Sequence, residues 1–233
     1  MKPGPNQNMV GLRDIIVRPA ITGKKTIGQL ECHCNGFRFN SSKGQKIDFT
    51  FNNIRNAFFQ PCEEADIIVL IHFRLKAAIE IGTKKVLDIQ FYAEVCNQFE
   101  DIDGRNARRR MTEQDEVEQE RRERDIRKRL DDKFQKFCVA SESFAARYKF
   151  ELEFDIPFRD LAFSGCHSKA NVQLFPTKSS LVSLSEAPFF AIDTTDIEIT
   201  HFERVNLSVK NFDMVFVYKD YANFRRVSSV PME

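Results

Sequence analysis

The chain has 233 residues, 42% of them hydrophobic and 12% aromatic, and 35 Lys/Arg against 34 Asp/Glu leave a formal charge of +1. Near-neutrality excludes a strongly basic nucleic-acid domain, and nine glycines leave little material for phosphate-cradling loops. The longest wholly apolar run, Ile67 to Ile71, falls far short of the roughly 20 residues that span a bilayer, and residues 1–7 lack the apolar core of a signal peptide. These features predict a soluble, intracellular protein of two small domains or one large one.

Leu12 to Arg18 alternates loosely and ends at Pro19, as a first strand does. Ile27 to Ser41 reads as a hairpin, with Leu30, Cys32 and Cys34 on one face, Asn35-Gly36 as the turn, and Phe37 and Phe39 returning. Ile47, Phe49 and Phe51 alternate again, Asn52-Asn53 breaks the strand, and Ile54 to Gln60 resumes it. Ile67 to Leu75 reads as a buried strand, Ala77 to Ile81 as its partner, and Val86 to Val95 as another. About seven short strands at this spacing predict a sandwich or barrel.

Between Arg105 and Lys136, 21 of 32 residues are charged. Ile126, Leu130, Phe134, Phe137, Ser141 and Phe144 follow a helical period and form one apolar stripe. The expectation is a solvated lead-in over Arg105–Glu120 and a docking helix over 121–146. Alternation returns at Phe150, Leu152, Phe154 and Ile156, read as the first strand of a second block. Further strands are expected at Val172–Phe175, Leu181–Leu184, Phe189–Ile192, Ile197–Val205, Leu207–Val209, Met214–Tyr218 and Val227–Val230.

The fold class read from this layout is mainly β with α, in two halves. A first domain spans 10–147 with its C-terminal helix, and a second, truncated one spans 148–233 without a helix. The repeat suggests a piece of a larger scaffold, and it predicts an exposed apolar strip near Val215, Val217, Val227 and Val230. Charge divides unevenly: residues 148–233 hold 9 Lys/Arg against 12 Asp/Glu, while residues 105–147 hold 13 against 10. Such a mixed surface suits a protein partner with acidic and basic faces of its own.

No pattern supports catalysis, a metal or a cofactor. In Cys32-His33-Cys34, alternation turns His33 away from both thiols, and no second ligand pair sits at zinc spacing. The six cysteines read as reduced thiols. Asp193 to Glu198 reads as a turn bearing solvated acids, and His72 as a core histidine. Lys24, Lys25, Lys43, Lys46, Lys84 and Lys85 fall at expected turns, where one rim of a small barrel would hold phosphates. Ordinary solvated lysines are the alternative.

Several long segments go further. Asn35-Gly36-Phe37-Arg38-Phe39, Phe59-Gln60-Pro61-Cys62, Asp88-Ile89-Gln90-Phe91-Tyr92, Pro157-Phe158-Arg159-Asp160-Leu161, His201-Phe202-Glu203-Arg204-Val205 and Asn211-Phe212-Asp213-Met214-Val215 closely resemble the middle region of the large subunit of the FACT histone chaperone. The resemblance implies tandem pleckstrin-homology-like domains that bind core histones, the tetramer before the dimer for this chain. It implies nuclear, chromosomal work on nucleosomes in transcription, replication and repair. The partners it implies are the smaller DNA-binding FACT subunit and, indirectly, nucleosomal DNA, with no membrane. The family's aminopeptidase-like domain, its acidic tail and the helix expected after Pro231 have no counterpart in the sequence. Arg225 and Arg226, read on a loop before the last strand, are added as candidate contacts. A phosphoinositide-binding membrane adaptor on the lysine rim and a purely structural interaction module remain the alternatives.

Overall fold

The computed structural model describes residues 10–21, 23–62, 67–95, 113–206 and 208–232. Alternating apolar residues build the first sheet from β1 (Val10–Arg18), β2 (Ile27–His33), β3 (Gly36–Ser41), β4 (Lys46–Thr50), β5 (Ile54–Gln60), β6 (Ile68–Ile81), β7 (Lys84–Glu94) and β8 (Phe154–Asp155). Their order across the sheet is β4-β3-β2-β1-β7-β6-β5-β8. The period of two puts Leu30 opposite Phe39 and Cys32 opposite Phe37, so one face of the hairpin is wholly core. The turn lies one residue earlier than expected. His33 pairs with Gly36, leaving Cys34-Asn35 at the tip. Gly36 is needed inside the strand, because a Cβ there would sit 2.2 Å from the Phe49 carbonyl oxygen.

The expected strands Ile67–Leu75 and Ala77–Ile81 are one continuous strand, β6. A register shift between Arg74 and Ile79 bulges the chain between them, which hides its continuity from a simple alternation count. Asn53 holds the bulge open: its side chain accepts from the Ala77 N–H at 2.8 Å and donates to the Ala77 carbonyl at 3.0 Å.

Helix α1 runs Glu113–Arg147, starting two turns before the expected docking segment. The part of the expected lead-in before Glu113 lies outside the described residues. Side-chain pairs Glu118–Arg122 (3.5 Å) and Glu123–Arg127 (3.8 Å) support the charged N-terminal turns, each worth about 0.3–0.5 kcal/mol. All six residues of the expected stripe are buried, with Phe134 fully so. Three polar contacts tie the helix to backbone groups of other segments. Lys133 donates to the Arg13 carbonyl at 2.9 Å, beside the β1 bulge; Asp131 accepts from the Cys62 N–H at 2.8 Å; Glu142 accepts from the Phe154 N–H at 2.7 Å.

The segment after the helix does not open the second sheet. Phe150, Leu152 and Phe154 pack on the first core, with the Phe150 ring 5.2 Å from Phe51 and the Phe154 ring 5.7 Å from Phe73. The described residues divide into two compact units between Phe154 and Asp155.

The second unit comprises β9 (Phe163–His167), β10 (Ala170–Pro176), β11 (Ser180–Ser183), β12 (Phe190–Asp193), β13 (Ile197–Glu203), β14 (Asn211–Tyr218) and β15 (Phe224–Pro231). Their order, β12-β11-β10-β9-β15-β14-β13, repeats the first seven strands of the first sheet position by position. Strand β9 escaped the alternation reading because Ser164-Gly165 interrupts it. Gly165 lets strands approach: a Cβ there would lie 2.4 Å from Val227 Cγ1. Ser208 and Val209, expected in a strand, lie in a turn closed by Val209 N–H to the Asn206 carbonyl, while Leu207 lies outside the described residues. Of the four positions of the expected exposed strip, only Val217 is partly exposed. Val227 and Val230 are in the core with Leu174, Phe190 and Phe216, and Val215 is buried too. The strand bends inward at a bulge, and both valines pack between β9 and β14 instead of facing outward.

Candidate functional site

The antiparallel order decides where the lysines fall. β1 and β3 run toward one end of the first sheet, and β2, β4 and β7 start from it, so the β1–β2, β3–β4 and β6–β7 turns share a rim. A Cβ on Gly82 would lie 2.7 Å from the Ile21 carbonyl oxygen, and Ser42 N–H bonds the Ile27 carbonyl at 2.9 Å. Lys24, Lys43, Lys46, Lys84 and Lys85 are all exposed there. Lys25 is different. Its ammonium donates to Glu94 at 2.6 Å, and that hydrogen bond holds its pKa above the ordinary lysine value. Glu94 thus occupies it, and the other five lysines form the cationic rim.

Arg225 and Arg226 lie within β15, not on a loop before it. The side chain of Arg226 donates across the sheet to Glu203 at 2.6 Å. By the strand repeat, this pair stands at the start of the seventh strand of its unit, the position Lys84-Lys85 hold in the first. Both repeats therefore carry a basic pair at the same topological point.

Next to the arginines sits a carboxylate that ties three strands together. Asp213 accepts from Arg204 Nε (2.9 Å) and Nη2 (2.5 Å) and from the Ser229 N–H (2.9 Å). The Arg204 guanidinium, the larger influence, and the Ser229 amide hold its carboxyl below the usual aspartate value, against the opposing effect of burial. Arg204 and Ser229 both have positive φ, 59° and 56°, so Asp213 pins two strained backbone positions at once. The bulge it fixes, between Phe212/Val230 and Met214/Val227, lets Ser228 pair with Cys166 and join β15 to β9.

A cleft that sequence reasoning missed lies at the β6 bulge, lined by Arg55, Arg74, Leu75, Lys76 and Leu87. No local pattern announces it: the three cations come from two strands and meet only because the bulge re-aims the chain. Asp88 sits 3.9 Å from Arg74 and 3.3 Å from His72 Nε2, which moderates the positive charge.

The remaining candidates resolve into structure. Cys32 is in the core, and burial pushes its thiol up to about 12; His33 contacts Glu31 at 3.3 Å. Cys62 and Cys138 are buried as well. Among the described residues, no three His, Cys, Asp or Glu side chains converge as a metal site does. Asp193 caps a short turn, accepting from the Thr195 N–H at 3.2 Å, as the turn reading expects. No helix among the described residues is long and apolar enough to cross a membrane.

Comparison with known proteins aligns with both units. Residues 10–140 match the family described as the FACT complex subunit SPT16 PH-like domain, and residues 164–233 match the Histone chaperone Rttp106-like middle domain. The chain is 42% identical over 222 residues to the FACT complex subunit spt-16 of Caenorhabditis briggsae and, equally, to that of Caenorhabditis elegans, covering 95% of this chain and 21% of each relative. It is 41% identical over 230 residues to FACT complex subunit SPT16 of Zea mays, covering 96% of this chain and 22% of the relative. The chain thus spans about a fifth of the length of these relatives. With β1 to β7 and most of the helix inside one matched domain and nearly all of the repeated second sheet inside the other, the chain belongs to the SPT16 family and corresponds to the middle region of the large FACT subunit.

Proposed function

We propose that this chain is a histone-binding chaperone module of the FACT complex, which assists nucleosome disassembly and reassembly during transcription, replication and repair. The observation that carries the reading is the pairing of an SPT16 domain with a histone chaperone middle domain on one repeated sheet topology. Its work is binding and not catalysis, in the nucleus and on chromosomes, together with the smaller DNA-binding FACT subunit. Charge supports a division of labour: the cationic rim of the first unit suits DNA phosphate, while the acidic second unit suits basic histone surface. The tetramer of core histones is the preferred cargo of this chain.

Pull-down with purified core histones at physiological salt tests the reading. Retention of the tetramer in preference to the dimer is expected, and retention of neither overturns the proposal. The rim makes a separate prediction. In Lys84→Ala/Lys85→Ala, the slope of log affinity against log salt for nucleosomes should fall by about 2, one unit per lost phosphate contact. An unchanged slope in that titration would remove the rim from the interface.

A further inference from the structure

The strand repeat exposes a difference between the two units. In the first sheet, β5 is flanked by β6 on one side and by the added strand β8 on the other. Its counterpart in the second sheet is β13, which pairs with β14 and ends the order. The fold therefore accepts an extra strand at this position, and among the described residues no strand pairs with that side of β13. Its outward side is a row of main-chain donors and acceptors, a template for strand addition. From Ile197 to Glu203 no residue is buried; Ile199 is 52% exposed and Phe202 51%. These two side chains lie on opposite faces of the sheet, since Ile199 pairs with Val217 and Phe202 with Met214. An arriving strand would meet an apolar group on either side.

Charge selects the occupant. β13 carries Glu198 and Glu203 and no Lys or Arg, and Asp193 and Asp196 stand in the segment just before it. Glu203 is shared with Arg226, and Glu198 bonds Tyr221, yet each carboxylate retains acceptor capacity. A second copy of β13 would bring two acidic rows together, so self-pairing is opposed by like charge. A basic strand meets the opposite situation. We propose that β13 is a docking edge for an extended Lys/Arg-rich polypeptide segment, which adds to the sheet as a strand. This deepens the histone-binding reading and rests on it, since basic extended tails are the segments of histones that fit such an edge.

The test uses the whole chain and a fluorescein-labelled synthetic peptide alternating lysine and valine, as long as β13. A glutamate–valine peptide and a lysine–valine peptide N-methylated at alternate backbone positions along either edge serve as comparisons. The expected result is binding of the lysine peptide with slowed amide exchange in β13. One of the two N-methylated peptides should lose binding while the other keeps it. Glu198→Lys/Glu203→Lys should weaken the lysine peptide at least about tenfold, the scale of two charge pairs near a solvated surface. Equal binding of the acidic peptide, or lysine-peptide binding without β13 protection, overturns strand addition. Core histones retained by the chain in that case leave the chaperone reading standing; loss of histone binding as well sinks both.

Discussion

Phe73→Ala is expected to destabilise the first unit by about 3–5 kcal/mol, the range for emptying a buried phenylalanine site. Phe73 is fully buried on β6. Its ring centroid lies 4.9 Å from Phe37, 5.1 Å from Phe49, 6.1 Å from Phe91 and 5.7 Å from Phe154. No neighbour can close the gap without losing its own packing, because each is anchored in a different strand. Since domains have only about 5–15 kcal/mol in total, the loss is a large share of stability. Urea unfolding followed by near-ultraviolet circular dichroism should show the midpoint drop. Exchange of the Phe154 amide, held by Glu142, should accelerate as the segment after the helix loosens. Val139→Ala, on an exposed face of the helix, should stay within about 0.5 kcal/mol. Equal effects of the two substitutions would contradict this account of the core.

Asp213→Ala should cost the second unit about 1 kcal/mol, the net scale of an intramolecular hydrogen bond, because it removes the acceptor of the Ser229 amide and the partner of the exposed Arg204 guanidinium. The consequence is specific: without the carboxylate, the bulge that joins β15 to β9 loses its clamp. Amide protection should fall first at Ser228 and Cys166, the pair through which β15 joins β9. The pH dependence follows from the direction of the Asp213 shift. A carboxyl held below its unfolded value, about 3.9, contributes fully above that value. The contribution disappears as pH falls through the lower folded value. Asp213→Asn should therefore be less stable than the wild type at neutral pH, and the two stabilities should converge in strong acid. Parallel curves with no convergence would exclude ionised Asp213 as the stabilising form.

The acids of residues 193–198 and the lysines of the rim were legible as residue types but not as places. Lys25 and Lys84 stand in separate turns of the sequence, and only the antiparallel strand order brings those turns to one end. The β6 cleft was invisible, since Arg55, Arg74 and Lys76 converge through a bulge held by Asn53, with no periodic signature. Arg225 and Arg226 lie in β15 and not on the expected loop. Charged residues suggest a loop, whereas a strand inside an antiparallel sheet, as β15 is between β9 and β14, carries them as readily where it meets solvent.

What sequence alone determined is whatever depends on local period. Alternation located the strands of the first block, and the 3.6-residue spacing of Ile126, Leu130, Phe134, Phe137, Ser141 and Phe144 identified the buried helix face. Long idiosyncratic segments pointed to the family. Tertiary structure decided the rest, because those features depend on partners distant in the chain. It merged two expected strands into β6 and gave Phe150 to Phe154 to the first core, where rings from β6 and the turn after β4 receive them. It also made ties of three charges on the docking helix, with Asp131, Lys133 and Glu142 each meeting a backbone group of another segment. Such a group is costly to bury alone, and nothing local in the sequence says where it will be.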